Sequence, residues 1–521
     1  MPTSSILDIK ITGGQILDGS GAPARRADVG IAGAQLVALG DLSGLAARQT
    51  IAAEGRYVCP GFIDSHSHSD AYLLIEPAAP SKIYQGITTE IVGNCGASAA
   101  PLADPACLPS DWQGLDYPGS WQTMADYLRL LEQVQPALNV AALVGHGKLR
   151  SWVMGYQARP ATPAEIQAMC ALLAESLQAG GWGLSSGLIY TPGKWATREE
   201  LAALAAVVAK HQGIYVSHMR SESADLLQAL EETIAIARAT KVRVEVSHLK
   251  TAGPEAWPLV DAALAQLRQA RADGLEIAAD RYPYVASCTD LDVVLPGWAT
   301  ADGKEAILAR LRDPHTRQRL CQEIFTTRKP QMIVIAGTSL RPCCGLPLLE
   351  VAAHLRLDPA DAVLHLLDTD ALQTSAFFLG MNEANMWRIL AEPYVMLGTD
   401  ASLQAPTGPL SQNYPHPRAY GSFPRFLRAA LDGQTVPLPE AIRKMTSLPA
   451  QHFRVPERGL LAEGRLADVV IFNPDTLADL STFAEPHQLA RGIEWVIVNG
   501  AITLTPDGPS GVRAGRLLRR A

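Results

Sequence analysis

No apolar run in this chain reaches the length of about 18 residues that a membrane-spanning helix needs, so no membrane partner is expected. The opening segment, MPTSSILDIKITGG, has neither a basic stretch nor a sustained apolar one, which argues against a secretory signal. Long Lys/Arg runs are also missing and the net charge is -8, so nucleic acid is not an expected partner. The C-terminal Arg516, Arg519 and Arg520 read as a short solvated tail. The eight cysteines, at 59, 95, 107, 170, 288, 321, 343 and 344, form no CxxC and no framework spacing, which points to a reduced, cytoplasmic protein. What is present is an ordinary globular composition, 48% apolar and 18% charged, in 521 residues with ample core for more than one domain.

The two ends share a texture that the middle does not have. Residues 6–58 and 464–505 carry short β-rich runs broken by Gly and Asn-Gly turns, as in LDIKITGGQILDG and IEWVIVNGAITLT. Neither end is long enough for a good core alone, so the two are expected to pair into one small β-sandwich, residues 1–58 with 451–521. Between them, over 59–450, eight apolar runs alternate with segments of helical period: RYVCPGFID, TTEIVGN, NVAALVG, GWGLSSG, GIYVSH, VRVEVSH, LEIAAD and YVMLGTD. That alternation predicts an α/β fold, a parallel (β/α)8 TIM-like barrel. One helix, ATPAEIQAMCALLAESLQAG, carries Thr162 and Pro163 at its start and Gly180 at its end, where caps belong. The long stretch at about 290–390, with its own strand-like MIVIAG, reads as an inserted subdomain that can cover the barrel mouth.

The informative pattern is where the His, Cys and Asp residues fall. His66 and His68 follow strand one in GFIDSHSHSD and Cys95 follows strand two in VGNCG, while His218, His248 and Asp400 end strands five, six and eight. All strand C-termini of a barrel open on one face, where active sites are built. Residues i and i+2 of an extended chain point the same way, so His66 and His68 can reach one metal. Neutral imidazole and thiolate suit zinc, with an open position for water, and a carboxylate beside that water can act as a general base. Each residue alone has an ordinary reading, such as a core histidine, a buried thiol or a helix-capping aspartate. Six such accidents would have to coincide at strand ends, so the set points to a metal centre.

With these residues in hand, the chain resembles the amidohydrolase superfamily and, within it, the D-aminoacylase (N-acyl-D-amino-acid deacylase) family. GFIDSHSHSD, VGNCG, SHMRSE, SHLK, RYPY and the HPR–YGSFPR segment at 416–425 carry the resemblance over nearly the whole chain. It implies a tightly held zinc on Cys95, His218 and His248, a second and weaker metal position flanked by His66 and His68, and Asp400 as general base. Tyr190 or His68 would stabilise the oxyanion. It also places Tyr190, Lys250, Tyr282, a hydroxyl near position 288 and Arg418 around the α-carboxylate of a small-molecule N-acyl amino acid. Position 288 is Cys with Ser287 beside it, a departure from that pattern. Many superfamily members carry a carboxylated lysine on strand four, whereas GWGLSSG has none, in keeping with the cysteine type. Lys148 and Lys194 read as loop lysines, solvated or facing substrate.

The resemblance thus implies zinc-dependent hydrolysis of N-acyl-D-amino acids to a D-amino acid and a carboxylate, the enantiomer resting on it alone. A charge-assisted clamp on a carboxylate is what Lys250 and Arg418 supply chemically. Their ordinary alternatives are a surface salt bridge for Lys250 and a loop anchor for Arg418. The runner-up function is a cyclic amidase of the hydantoinase or dihydropyrimidinase kind, opposed by Cys95 and by the missing strand-four lysine. The connection from Asp400 to Arg418 is also longer than the family's usual one, which bears on substrate preference.

Overall fold

The computed structural model of the chain describes residues 6–520 except Thr327 and Asn413. Eight parallel strands form the barrel expected from the alternation. They are Phe62–Asp64, Ile87–Val92, the run Asn139–Ala142 with Val144–Gly145, then Gly183–Gly187, Ile214–His218, Arg243–Val246, Ile277–Arg281 and Val395–Leu397. Strand three changes partner at Leu143, whose N–H still donates to Val92 while Val144 and Gly145 pair with strand four. The ring closes between strands eight and one through a parallel bridge of Ser67 with Ala401 and a bond from the Asp400 N–H to the His66 carbonyl. Inside lie Ile63, Ile91, Leu143, Ile214, Val216 and Met396, almost all fully buried, each contributing about 1.5–3 kcal/mol by leaving water. The helix predicted at 162–180 spans Pro163–Gln178, with Thr162 and Glu165 in a reciprocal capping box.

Strands from both ends share one nine-stranded sheet around a core that includes Ile11, Val29, Ile31, Val469 and Ile497. Two expectations need correction here. RYVCPGFID is two strands: Tyr57–Pro60 pairs with Val469–Phe472 in the terminal sheet, and only Phe62–Asp64 enters the barrel. The break falls at Pro60-Gly61, since a Cβ on Gly61 would lie 2.2 Å from the Thr88 hydroxyl. The C-terminal arginines are not on a free tail, although Arg516 and Arg519 stay exposed. The last residues run under the barrel, where the Leu518 N–H donates to Val140, Arg520 lies 5.6 Å from the Trp182 ring and Arg519 pairs with Glu132.

The insertion is a separate body over the barrel mouth. A three-stranded antiparallel sheet, in the order Ala286–Asp290, Ser375–Leu379, Ile333–Gly337, packs against the helices Lys304–Arg312, Pro314–Glu323, Leu348–Leu355 and Pro359–Thr369 around its own apolar core. It begins a few residues before 290 and ends near 380. The helix Glu383–Ala391 that follows already packs on barrel strands seven and eight and belongs to the barrel. No helix among the described residues is long and apolar enough to cross a membrane.

Candidate metal and substrate site

The strand ends gather the expected side chains into one cluster. Cys95 is at its centre, with Sγ 3.4 Å from His66 Nε2 and 3.5 Å from His248 Nε2. His248 Nε2 also lies 3.0 Å from His218 Nδ1. Asp400 Oδ1 is 3.4 Å from His66 Nε2 and 3.2 Å from His68 Nε2. Two overlapping groups have donor atoms close enough to share a cation: His66, Cys95, His248 and Asp400, and His218, Glu222 and His248. All six residues singled out in the sequence therefore meet at one place.

The backbone there is strained in the way functional sites are. Cys95, His248 and Asp400 have φ of 52°, 36° and 50°, the left-handed region that costs a non-glycine residue about 1–3 kcal/mol. The Cys95 loop is folded down onto strand four: Ser185 Oγ donates to the Gly93 carbonyl and accepts from the Gly96 N–H. A Cβ on Gly187 would stand 2.2 Å from the Cys95 carbonyl. Strand four thus ends in a bare glycine under the cysteine loop, and no side chain fits at position 187 without moving that loop. Beneath Asp400, the ammonium of Lys82 donates to Asp64 at 2.9 Å and to Thr399 at 3.0 Å, and lies 2.8 Å from Glu90, tying strands one, two and eight together.

The donors suit a soft or borderline cation. Burial alone would push the Cys95 thiol up, but the charges of His66, His248 and His218 outweigh it and hold the thiol well below its ordinary value. His218 Nε2 is buried with no hydrogen-bond partner among the described residues, an unmet demand that a metal ligand would have. Thiolate and imidazole nitrogens in this number fit zinc.

Two residues without a sequence-based role turn out to hold the cluster in place. Asp280, the last residue of LEIAAD but one with no neighbouring His or Cys to mark it, accepts from His66 Nδ1 at 3.0 Å and from the His248 N–H at 3.0 Å. One carboxylate thus orients two histidines. Glu222, inside SHMRSE, lies 2.8 Å from His248 Nδ1 and is ion-paired to Lys250. Burial pushes its carboxyl up, yet Lys250, His248 and His218 hold it well below the ordinary range.

The substrate-side residues separate into two groups. Lys250 is 3% exposed, so the surface salt bridge is excluded. Arg418 pairs with Asp400 Oδ2 at 2.8 Å and stacks 4.6 Å from the Tyr282 ring. Its loop is held instead by His416, whose Nε2–H donates to Ala286 and whose Nδ1 accepts from the Arg418 N–H. Tyr190 lies edge-on to His218 at 5.1 Å, with its hydroxyl accepting from Thr289. Tyr282 is fully buried against Arg418, and its hydroxyl has no hydrogen-bond partner among the described residues.

Strand pairing separates positions 287 and 288. Cys288 lies opposite Phe377, whose ring is 5.5 Å from His416, while Ser287 lies opposite Phe378 on the other face. On the Arg418 side, the residue is therefore the thiol. Lys148 is not a loop residue. It is in the helix His146–Met154, buried and bonded to the Cys107 carbonyl, and Lys194 donates to Thr300 at 2.8 Å. In the long connection from Asp400 to Arg418, Asn413 is outside the described residues.

Above the cluster a cleft of about 1380 Å³ opens between barrel mouth and insertion. Comparison with known proteins gives this architecture its relatives. A family model described as "Amidohydrolase family" matches residues 49–332 and 380–504, and the interval it skips lies within the insertion. The chain is 38% identical over 534 residues to the D-aminoacylase of Alcaligenes xylosoxydans xylosoxydans, covering 99% of this chain and 98% of that one. It superposes with a TM-score of 0.85, at 37% identity and covering 99% of this chain and 100% of the other, on an N-acyl-D-glutamate deacylase of Bordetella bronchiseptica complexed with zinc and a phosphonate inhibitor. An L-hydantoinase of Arthrobacter aurescens shares the fold alone, at 15% identity and a TM-score of 0.57 over 99% of this chain and 100% of the other. A cysteine-centred cluster at the mouth of a (β/α)8 barrel, with near full-length likeness to these deacylases, places the chain in the amidohydrolase family, among the D-aminoacylases.

Proposed function

We propose that this enzyme hydrolyses the amide bond of N-acyl-D-amino acids in the cytoplasm, with zinc held by Cys95, His218 and His248 and a weaker second position flanked by His66 and His68. The observation that carries this reading is the Cys95 thiol ringed by three imidazoles next to an Asp400–Arg418 ion pair. The cyclic-amidase alternative loses support, since the hydantoinase likeness extends to the fold only.

When bound, zinc supplies Lewis acidity and lowers the pKa of water from 15.7 to about 7. Asp400 takes the proton of the attacking water and returns it to the leaving amine. Tyr190 or His68 donates to the oxyanion in this scheme. Asp280 and Glu222 hold the imidazoles in register. An anionic substrate competes with Asp400 for Arg418, and the α-carboxylate is the group that meets Arg418 and Lys250.

Two outcomes test this. A panel of N-acetyl-D- and N-acetyl-L-amino acids is expected to show hydrolysis of the D-forms and little of the L-forms. Efficient turnover of L-substrates would remove the enantiomer claim. Arg418→Ala is expected to lower kcat/KM about 10- to 150-fold on substrates with a free α-carboxylate and to abolish the preference for the acid over its α-amide. Equal weakening of acid and amide would mean that Arg418 only shapes its loop.

A further inference from the structure

The cations that line the cleft are nearly all engaged. Lys250 is paired with Glu222, Arg418 with Asp400, Lys194 with the Thr300 hydroxyl and Arg341 with the Gln412 carbonyl. Arg328 is different. It lines the same cleft, its Nη1 is buried without a hydrogen-bond partner, and it makes no ion pair among the described residues. Its guanidinium lies 4.3 Å from the Phe378 ring, and Phe378 sits opposite Ser287 in the insertion sheet. Two residues beyond Ser287, Thr289 bonds to Tyr190, whose ring meets His218. Arg328 thus belongs to the wall facing the His218 side of the cluster. Burial pushes its pKa down, and Tyr190 and Glu222 are the groups whose charge opposes this.

A guanidinium cannot shed its proton, so a buried N–H of Arg328 left without an acceptor is costly, and an anion is the strongest acceptor a ligand can bring to it. Lys250 and Arg418 are the cations assigned to the α-carboxylate, so the ligand group that would satisfy Arg328 best is a second negative one. We propose that Arg328 binds the side-chain carboxylate of the substrate, making this an enzyme for acidic N-acyl-D-amino acids. This rests on the deacylase reading above and adds the substrate class to it. The Phe378 ring packs against the guanidinium, whose fork geometry suits bidentate contact with a carboxylate. The same cleft is also lined by Asp111 and Asp290, both pushed up by burial, with Ser110 donating to Asp290; a cationic side chain is the rival that the test must include.

The measurement is kcat/KM of the zinc-loaded wild type, Arg328→Met and Arg328→Lys on N-acetyl-D-glutamate, -aspartate, -glutamine, -leucine and -lysine. Wild type is expected to favour an acidic substrate over N-acetyl-D-glutamine by at least about 10-fold. Arg328→Met is expected to lose about 10- to 150-fold on the acids and to stay within about threefold of wild type on the neutral substrates, with Arg328→Lys between them. Turnover of the neutral substrates with no acid preference in wild type, a preference for the lysine substrate, or an unchanged preference in Arg328→Met overturns the assignment while the deacylase reading stands. No turnover of any D-substrate overturns both. The wild-type preference is read without any variant, so a misfolded mutant leaves the test intact.

Discussion

Asp400→Asn is expected to retain its zinc and lose about 10²–10⁴ in kcat, the usual worth of general acid–base catalysis. The substitution is well matched to its position. Asn fills the same volume and is among the few residues that accept a positive φ readily, so the strained backbone at 50° is kept. It can still accept through Oδ1 from His68, but it has no charge with which to accept a proton or to hold Arg418 at 2.8 Å. Burial pushes the Asp400 carboxyl up, while Arg418, His248 and His68 hold it well below the ordinary carboxylate range, so the wild-type group is ionised at neutral pH. Metal analysis and steady-state kinetics on one preparation decide the role. Joint loss of zinc and activity would make Asp400 mainly a ligand, and a small change in kcat would move the base elsewhere, to His68 first.

Cys95→Ala is expected to lose most of its bound metal and its activity with it. Altering a group that merely orients a metal ligand costs about 10–100-fold in metal affinity, so removing a direct ligand at the centre of the cluster must cost more. Alanine keeps the cost of the left-handed backbone at 52° nearly the same as cysteine, and the Gly96–Ser185 bond that seats the loop involves backbone and strand four only. The fold is therefore expected to survive, which a melting curve of the metal-free proteins can check. If the variant kept full zinc content and full turnover, the ligand assignment would be wrong.

These expectations draw unequally on sequence and structure. The barrel was legible because a buried parallel strand must be apolar throughout and its helices must show a 3.6-residue period. The cluster was legible because His66, His68, Cys95, His218, His248 and Asp400 all sit where apolar runs end. Glu222 was visible only as a letter of SHMRSE, and Asp280 only as the end of a strand. Nothing local distinguishes a carboxylate that orients a histidine 32 or 214 positions away from one that faces water. The split of RYVCPGFID was signalled by Pro60-Gly61, but the two halves are equally apolar, and pairing partners from residue 469 onward decide which sheet each joins.

The sequence by itself determined the strand and helix alternation, the alliance of the two ends and the residue types at the strand ends, because periodicity and side-chain chemistry are local properties. Only the tertiary structure decided that Arg418 meets Asp400, that Lys250 is buried against Glu222, that Cys288 rather than Ser287 faces the Arg418 side, and that Arg328 Nη1 finds no hydrogen-bond partner among the described residues. Those are relations between segments up to hundreds of residues apart. They depend on how the insertion closes over the barrel mouth, and side-chain charge and burial acquire their meaning only when both walls of the cleft are in place.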